Sequence, residues 1–413
     1  MGEASAIRCL STRVQSSAVF SGQQKLTSPV DRVKEIAPIL AEEAEAGEAE
    51  GALTQKTIEA LRSARIFHLW LPRCFGGDET FPIDALEALE LICHADASTG
   101  WVAMASQLCS ATAAAYLSPS AAREIFSGRA AIIGGQGAPN GQAVPNGDGY
   151  DLSGHWTYGS GVRHADYLHT GGLVYHDGKP TINPETSAPD SMIFIVPIRD
   201  ATLLANWDTL GLRATGSVDY TITKTFVHRD YTHKLTANVP NQGGDLYRLS
   251  VPGLSAIGHT AFALGVGRRI LEELSAVNKA DKPPTYMAGP SMENFLLHYG
   301  DAEAKLRSVR ALAFDVWHDI QKSLEKGDDL SIRQGTLMRL VVNHATSTSA
   351  EIAQFAFRFA GGRATRNGAL QRCFRDMQTG AQHGTASPPV LAECSRELLN
   401  LAQGKKWGFR NLV

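Results

Sequence analysis

No two cysteines form a CxxC pair in this 413-residue chain; its six (Cys9, Cys74, Cys93, Cys109, Cys373 and Cys394) are scattered. That gives no disulfide framework and no zinc site, and it suits a reducing compartment, so the expected location is the cytoplasm and no metal is expected. Charge of one sign is also lacking: 39 Lys and Arg against 42 Asp and Glu leave a net −3. Nothing therefore argues for nucleic acid or an anionic membrane surface as a partner. No apolar run approaches the ~20 residues that a membrane helix needs, and no internal repeat or low-complexity core segment appears. What remains is 43% hydrophobic and 20% charged residues, the balance of a globular chain long enough for two or three packed sub-domains.

The first 28 residues differ from the rest. They are rich in Ser, Thr and Gln, carry Arg8 and Arg13, and hold one acid, Glu3. A transit peptide has that composition, but amphipathic order is missing, so 1–28 reads as a disordered leader outside the fold. From Pro29 to residue 129 the pattern is helical, with Val33, Ile36, Ile39 and Leu40 at three- and four-residue steps. Leu71-Pro72 and Gly76-Gly77 break it, a helix restarts near Pro82, and the Ala-rich stretch 98–117 reads as a buried helix.

Composition changes at residue 130. Short β-branched runs at 131–133, 149–157, 167–174, 191–197 and 219–227 are separated by turn signals such as Pro139-Asn140-Gly141 and Asn146-Gly147-Asp148-Gly149. Residues 130–233 are therefore expected to form a central antiparallel β domain. From 234 to the end the chain is helical again, with long patterns at 254–276, 292–325, 330–361 and 387–402. The expected class is α+β: an N-terminal helical domain, a β domain and a C-terminal helical bundle.

Three segments carry candidate chemistry. In Gly154-His155-Trp156-Thr157-Tyr158-Gly159-Ser160-Gly161, an aromatic strand ends in small residues that can lie against a flat ring, with the Ser160 hydroxyl available to a ring nitrogen; a plain Ser-Gly turn explains it equally. In Trp207 to Ser217, Gly211, Arg213, Thr215, Gly216 and Ser217 form a loop with free backbone donors for a ring edge or phosphate, or simply a β-turn. The third, Phe359-Ala360-Gly361-Gly362-Arg363, precedes Leu370-Gln371-Arg372-Cys373-Phe374-Arg375-Asp376 and then Gln382-His383-Gly384-Thr385. Paired glycines permit close backbone approach or cap a helix, Arg can pair with phosphate, and His383 is either a tunable acid/base or an ordinary surface histidine.

In this order, and together with the Ser98-Thr99-Gly100-Trp101-Val102 helix start, these segments resemble the acyl-CoA dehydrogenase superfamily over residues 30 to 405. More closely they resemble its oxygenase branch, the oxygenase components of two-component, flavin-dependent aromatic hydroxylases. The acyl-CoA dehydrogenases often carry Tyr-Glu-Gly-Thr where this chain has Gln382-His383-Gly384-Thr385, and in many of them the glutamate removes a substrate proton. The branch it resembles carries His there. Several of those oxygenases offer a further His late in the helix that starts at Ser98; here Ala105-Ser106-Gln107-Leu108-Cys109-Ser110 has none, so Gln107 or Ser110 takes the place, or the substrate needs no partner there.

The resemblance implies that a separate flavin reductase supplies reduced flavin, FMN ahead of FAD, which reacts with O2 to give a C4a-hydroperoxide that oxygenates a small aromatic or heteroaromatic substrate. Ser160 and His383 are the implied catalytic pair. Trp156, Tyr158, Ser160, Arg213, Thr215, Gly216, Ser217, Gly361, Gly362, Arg372 and Arg375 are the implied flavin contacts, with the 361–362 glycines and the arginines reaching the flavin tail across a subunit boundary. Trp101, Gln107, Cys109, Tyr158 and His383 are the implied substrate pocket, and the implied assembly is a homotetramer. An acyl-CoA dehydrogenase and a catalytically silent scaffold of the same fold are the alternatives.

Overall fold

A computed structural model describes residues 27–128, 130–183, 189–280 and 292–413; most of the 1–28 leader lies outside them. Ser28 caps the first helix, α1 (Pro29–Glu50), which ends on Gly51 in a left-handed conformation. There follow α2 (Gln55–Ser63), α3 (Pro82–Ala95), α4 (Ala97–Tyr116) and α5 (Pro119–Phe126). Asp96 caps α4 by accepting from the Thr99 backbone N–H and hydroxyl, both at 2.7 Å. Small residues let these helices approach closely: a Cβ on Gly100 would lie 2.2 Å from Cys93 Sγ.

The strands are β1 (Ile133–Asn146), β2 (Gly149–Trp156), β3 (Tyr167–His176), β4 (Lys179–Pro180), β5 (Ser191–Pro197), β6 (Thr202–Leu203), β7 (Tyr220–His228) and β8 (Thr232–Lys234). They form one sheet in the order β6-β7-β2-β1-β3-β5-β8, with β4 on β3. The antiparallel expectation needs correcting. The sheet is mixed, because β1 and β3 run parallel. A parallel pair requires a crossover, and residues 157–166 supply it: β1 and β2 form a hairpin, then the chain crosses to the far side of β1. The Asn146–Gly149 turn closes that hairpin with Gly147 at φ +52°. Pro139-Asn140-Gly141 is not a turn but a register shift within β1. Gly141 is small there because a Cβ would lie 2.4 Å from the Trp156 ring.

The C-terminal helices are α6 (Ser250–Ala280), α7 (Met292–Glu325), α8 (Ile332–Ala360), α9 (Ala369–Gly380) and α10 (Pro388–Leu398). Stretch 245–277, mostly α6, is apolar and long enough to cross a membrane, yet 83% of its apolar window is inside the protein. It is the central core helix, apolar all round because α3, α4, α7, α8 and α9 surround it. Close packing again rests on a glycine, since a Cβ on Gly265 would meet the Glu90 carbonyl oxygen at 2.3 Å. The short helix α9, absent from the sequence-based reading, brings Asp376 under the 204–217 loop, where it accepts from the Leu212 N–H at 2.6 Å.

Candidate active site

The β2–β3 crossover places the first functional side chain. Tyr158 (φ +59°) and Gly161 (φ +75°) turn the chain sharply, and Gly159 N–H donates to the Val218 carbonyl at 3.1 Å. Between them the Ser160 hydroxyl points toward α4. Trp101 Nε1–H and the Ser217 hydroxyl both donate to Ser160 Oγ, each at 3.1 Å. Ser160 Oγ thus accepts from the Trp101 indole and shares a hydrogen bond with the Ser217 hydroxyl, which fixes where its hydroxyl stands. Ser217 is held in turn by Thr215 at 2.7 Å, and Thr215 by the Leu212 carbonyl at 2.7 Å.

Trp101 joins this serine to two imidazoles. Its ring meets His259 edge-on at 5.1 Å and His383 at 5.6 Å, with Phe262 at 5.0 Å. His259 and His383 are stacked, with centroids 4.1 Å apart and planes at 26°. His383 follows the end of α9; its Nδ1 accepts from the Thr385 backbone N–H at 3.4 Å and lies 2.8 Å from the Thr385 hydroxyl. That backbone proton is fixed, so Nδ1 is an acceptor and the neutral ring carries its proton on Nε2. His383 thus presents a donor to the site. Burial pushes its pKa down to about 4, helped by the Arg410 charge, and burial with the neighbouring His383 holds His259 well below the ordinary histidine value. Both rings are neutral at pH 7.

Every residue of α4 is buried except Ala105 and Leu108. Both lie on the Trp101 face, at the helical repeat of about 100° per residue. Ser255 of α6, Gly135–Ala138 of β1, Ser160 and His383 are likewise only partly buried.

The structure brings together Trp101, Ser160, Thr215, Ser217 and His383. It separates others. Trp156 is fully buried, stacks on Tyr220 at 5.3 Å, and donates Nε1–H to the Gly171 carbonyl at 2.7 Å; it is a core residue of the sheet rather than a ring contact. Tyr158 is 63% exposed and packs edge-on to Trp207, outside the Trp101–His383 cluster. Gln107 is buried, but it sits about 120° round α4 from Trp101, so it does not stand in for the missing histidine. Cys109 is buried in a second apolar cluster with Leu71, Ile133 and Ile193, its thiol pushed up to about 12 by burial. Ser110 lies on the far face of α4 and donates weakly to the Ala131 carbonyl at 3.4 Å.

Among the arginines, Arg213 is exposed and pairs with Asp208 at 3.3 Å. Arg375 is committed to Glu48 at 2.5 Å, Gln371 at 3.0 Å and the Leu210 carbonyl at 3.0 Å, so it ties α9 to α1 and the loop instead of reaching a phosphate. Arg372 is half-buried, where its charge acts on Asp96. Gly216 is left-handed (φ +54°), and a Cβ would lie 2.9 Å from the Gly51 carbonyl oxygen, so it anchors the loop on the end of α1. Gly361 and Gly362 are exposed at the end of α8, with open space where a Cβ would stand. His259 escaped the sequence reading; its one signal was a titratable residue, Gly258-His259-Thr260, inside an apolar helical run.

Helices flanking a central sheet in this order are the acyl-CoA dehydrogenase-like fold, and residues 257–388, which include both imidazoles, match the family model "Acyl-CoA dehydrogenase, C-terminal domain". Within that class the similar proteins are flavin-dependent monooxygenases. An indole-3-acetate monooxygenase of Pseudomonas putida is 28% identical over 337 residues, 80% of this chain and 83% of that protein. The solved structure of XiaF from Streptomyces sp. with FADH2 and glycerol superposes with a TM-score of 0.78 at 23% identity, covering 90% of this chain and 95% of that one. TdsC from Paenibacillus sp. A11-2, solved with FMN and indole, gives 0.74 at 22% identity, covering 93% and 98%.

Proposed function

We propose that this chain is the oxygenase component of a two-component flavin-dependent monooxygenase, taking reduced flavin from a separate reductase and using O2 to hydroxylate a small aromatic or heteroaromatic molecule. The observation that carries the reading is the Ser160–Trp101–His383 constellation: the Trp101 indole bonds the Ser160 hydroxyl and meets the His383 ring edge-on, with an imidazole and no carboxylate at position 383. When bound there, reduced flavin supplies the activation of O2.

The chain's own residues fit such a group. Ser160, held by Trp101 and Ser217, places a hydroxyl that would meet the ring edge. His383 offers Nε2–H where negative charge builds on oxygen, and stabilising developing charge with a preoriented donor is a large catalytic effect. The Trp101 and Phe262 rings packed beside His383 are apolar, and an apolar surround of this kind would protect a reactive oxygen species from decay. The dehydrogenase alternative expects a carboxylate where this chain has His383.

The flavin form proposed is FMN, with FADH2 as the variant that a titration separates. The proposed assembly is a homotetramer packed through the C-terminal helices, where Leu391, Leu398, Leu399 and Leu401 are exposed; Gly361 and Gly362 would then face the flavin tail bound in a neighbouring subunit. A cytoplasmic location is proposed on the scattered cysteines. The test is oxygen uptake with a generic flavin reductase over a panel of phenols, indoles and fused heterocycles. Product formed in proportion to oxygen consumed supports the reading; a panel in which all oxygen appears as peroxide overturns it.

A further inference from the structure

Residues 406–413 form a small hairpin. Lys406 and Val413 exchange both backbone hydrogen bonds at 2.9 Å, and the Gly408 N–H donates to the Asn411 carbonyl at 2.8 Å. Trp407 faces Leu412 in an antiparallel bridge, which leaves Phe409 and Arg410 at the tip. Helix α8 holds this hairpin and the His383 turn together. Its Thr336, Arg339 and Asn343 follow at three- and four-residue steps and so share one face. Trp407 Nε1–H donates to Thr336 Oγ1 at 2.9 Å. The Arg339 guanidinium lies over the Trp407 ring at 4.2 Å and donates to the Gly408 and Phe409 carbonyls at 3.0 and 3.3 Å. One turn on, Asn343 donates to the Thr385 carbonyl at 3.3 Å.

This brings Arg410 against the residue that follows His383. A Cβ on Gly384 would lie 2.6 Å from Arg410 Nη1 and 2.7 Å from its Cζ, so the missing side chain is what admits the guanidinium. The charge reaches His383, where it adds to burial in lowering the imidazole pKa. Among the described residues Arg410 has no hydrogen bond and no acid to pair with, and desolvation alone acts on its own pKa. Arg339, 8% exposed, is likewise answered by carbonyls and an indole face. Glu393, an acid that touches the hairpin, accepts from the Leu412 N–H at 3.3 Å and is already paired with Arg396 at 3.1 Å. A guanidinium fork takes a carboxylate through two parallel hydrogen bonds. Apolar surface lies next to it: the Phe409 ring is 5.3 Å from the Arg410 guanidinium and packs on the same buried cluster as Leu108 of α4.

We propose that Arg410 is a substrate-binding residue that makes this site selective for aromatic molecules carrying a carboxylate on a short arm, the acid paired with the guanidinium and the ring set toward His383. Consecutive Cα atoms are ~3.8 Å apart, and the guanidinium lies against the residue after His383, so a long arm would carry the ring past the imidazole. The inference rests on the monooxygenase reading and narrows its substrate class. Arg410 holds the substrate and moves no proton.

The test uses the full chain with a generic flavin reductase, and hydroxyphenylacetate and indolylacetate as probes, each beside its primary amide. Arg410→Gln keeps hydrogen-bonding atoms and loses the charge; Arg410→Lys keeps the charge and loses the fork. The wild type should prefer acid over amide in kcat/KM. In Arg410→Gln that preference should fall roughly ten- to hundredfold, through KM for the acid and with kcat within a few-fold, and Arg410→Lys should restore part of it. Added salt should raise the wild-type KM for the acids more than for the amides. A wild-type KM for the acids in Arg410→Gln overturns the proposal, as does equal use of acid and amide by the wild type. Equilibrium dialysis of the same probes without flavin reads the contact apart from catalysis, and the Kd of the acids should rise in Arg410→Gln by the same factor. Wild-type protein that oxygenates no probe overturns the monooxygenase reading, and dialysis then decides this one: acids bound no more tightly than amides overturn it. Amides oxygenated by a protein that binds no acid overturn the carboxylate site alone.

Discussion

At the scale of single residues, the site depends on the polar groups that meet around Trp101. His383→Ala deletes the Nε2–H donor, and product formation is expected to fall ~10²–10⁴ while peroxide release rises in proportion. Reduced-flavin affinity should change little, because the ring-edge contact is made by Ser160; coupled and uncoupled oxygen uptake measured side by side checks this. Ser160→Ala removes a hydroxyl that two donors hold in place. It also leaves Trp101 Nε1–H without its acceptor, so the cost includes an unpaired indole of about 1 kcal/mol or more. The expected outcome is faster decay of the oxygen-activated flavin in stopped-flow absorbance, with the circular dichroism of the resting protein unchanged. Decay at the wild-type rate would return Ser160 to the role of a turn residue.

Elements position these residues through buried polar links that sequence alone does not announce. Asp376 on α9 reaches the Leu212 N–H, and burial, reinforced by the nearby Asp96, raises its pKa to about 7. A folded-state pKa above the unfolded one means that the folded protein binds this proton more tightly. The stabilisation is therefore present in full below the unfolded value near 4 and is lost as pH rises toward 7. Asp376→Asn mimics the protonated acid and keeps the acceptor for Leu212. Between pH 5 and pH 8 the variant should lose less thermal stability than the wild type, by on the order of a few kcal/mol; parallel melting curves at the two pH values would refute it. Glycines do the same positioning by omission. Gly380→Val would drive a side chain into Phe262, where even a Cβ lies 2.4 Å from the ring, and should cost ~1–3 kcal/mol together with the Trp101 geometry, readable as a lower Tm and lost product.

For the whole molecule, the proposed assembly and the flavin supply make separable predictions. Flavin that arrives reduced should bind more tightly in that state than oxidised, which anaerobic titration followed by gel filtration measures. Gly362 stands in open space within one chain, so Gly362→Val should leave the stability of the fold unchanged. If a neighbouring subunit's flavin tail docks there, the same substitution weakens flavin binding in the assembled protein by tenfold or more. Unchanged affinity would remove 361–362 from the cofactor site and leave them as the cap of α8. Light scattering of the purified chain decides whether four copies assemble.

Much of this architecture is legible without coordinates. The helical periodicity of 33–64, the Asn146-Gly147-Asp148-Gly149 turn and the buried Ala-rich run at 98–117 are local properties, and local sterics and amphipathicity determine them. The Ser160 and His383 segments stand out because small residues beside polar ones are unusual in strands and helix ends. Tertiary structure decided everything that depends on direction. Whether β3 pairs with β1 in parallel turns on a crossover of ten residues, not on the strands themselves. That Trp156 faces the core and Gln107 faces away from Trp101 follows from the phase of each element, which composition does not reveal. His259 is the clearest case: it lies 124 positions before His383 in the chain, and only the packing of α6 beneath the end of α9 stacks the two imidazoles.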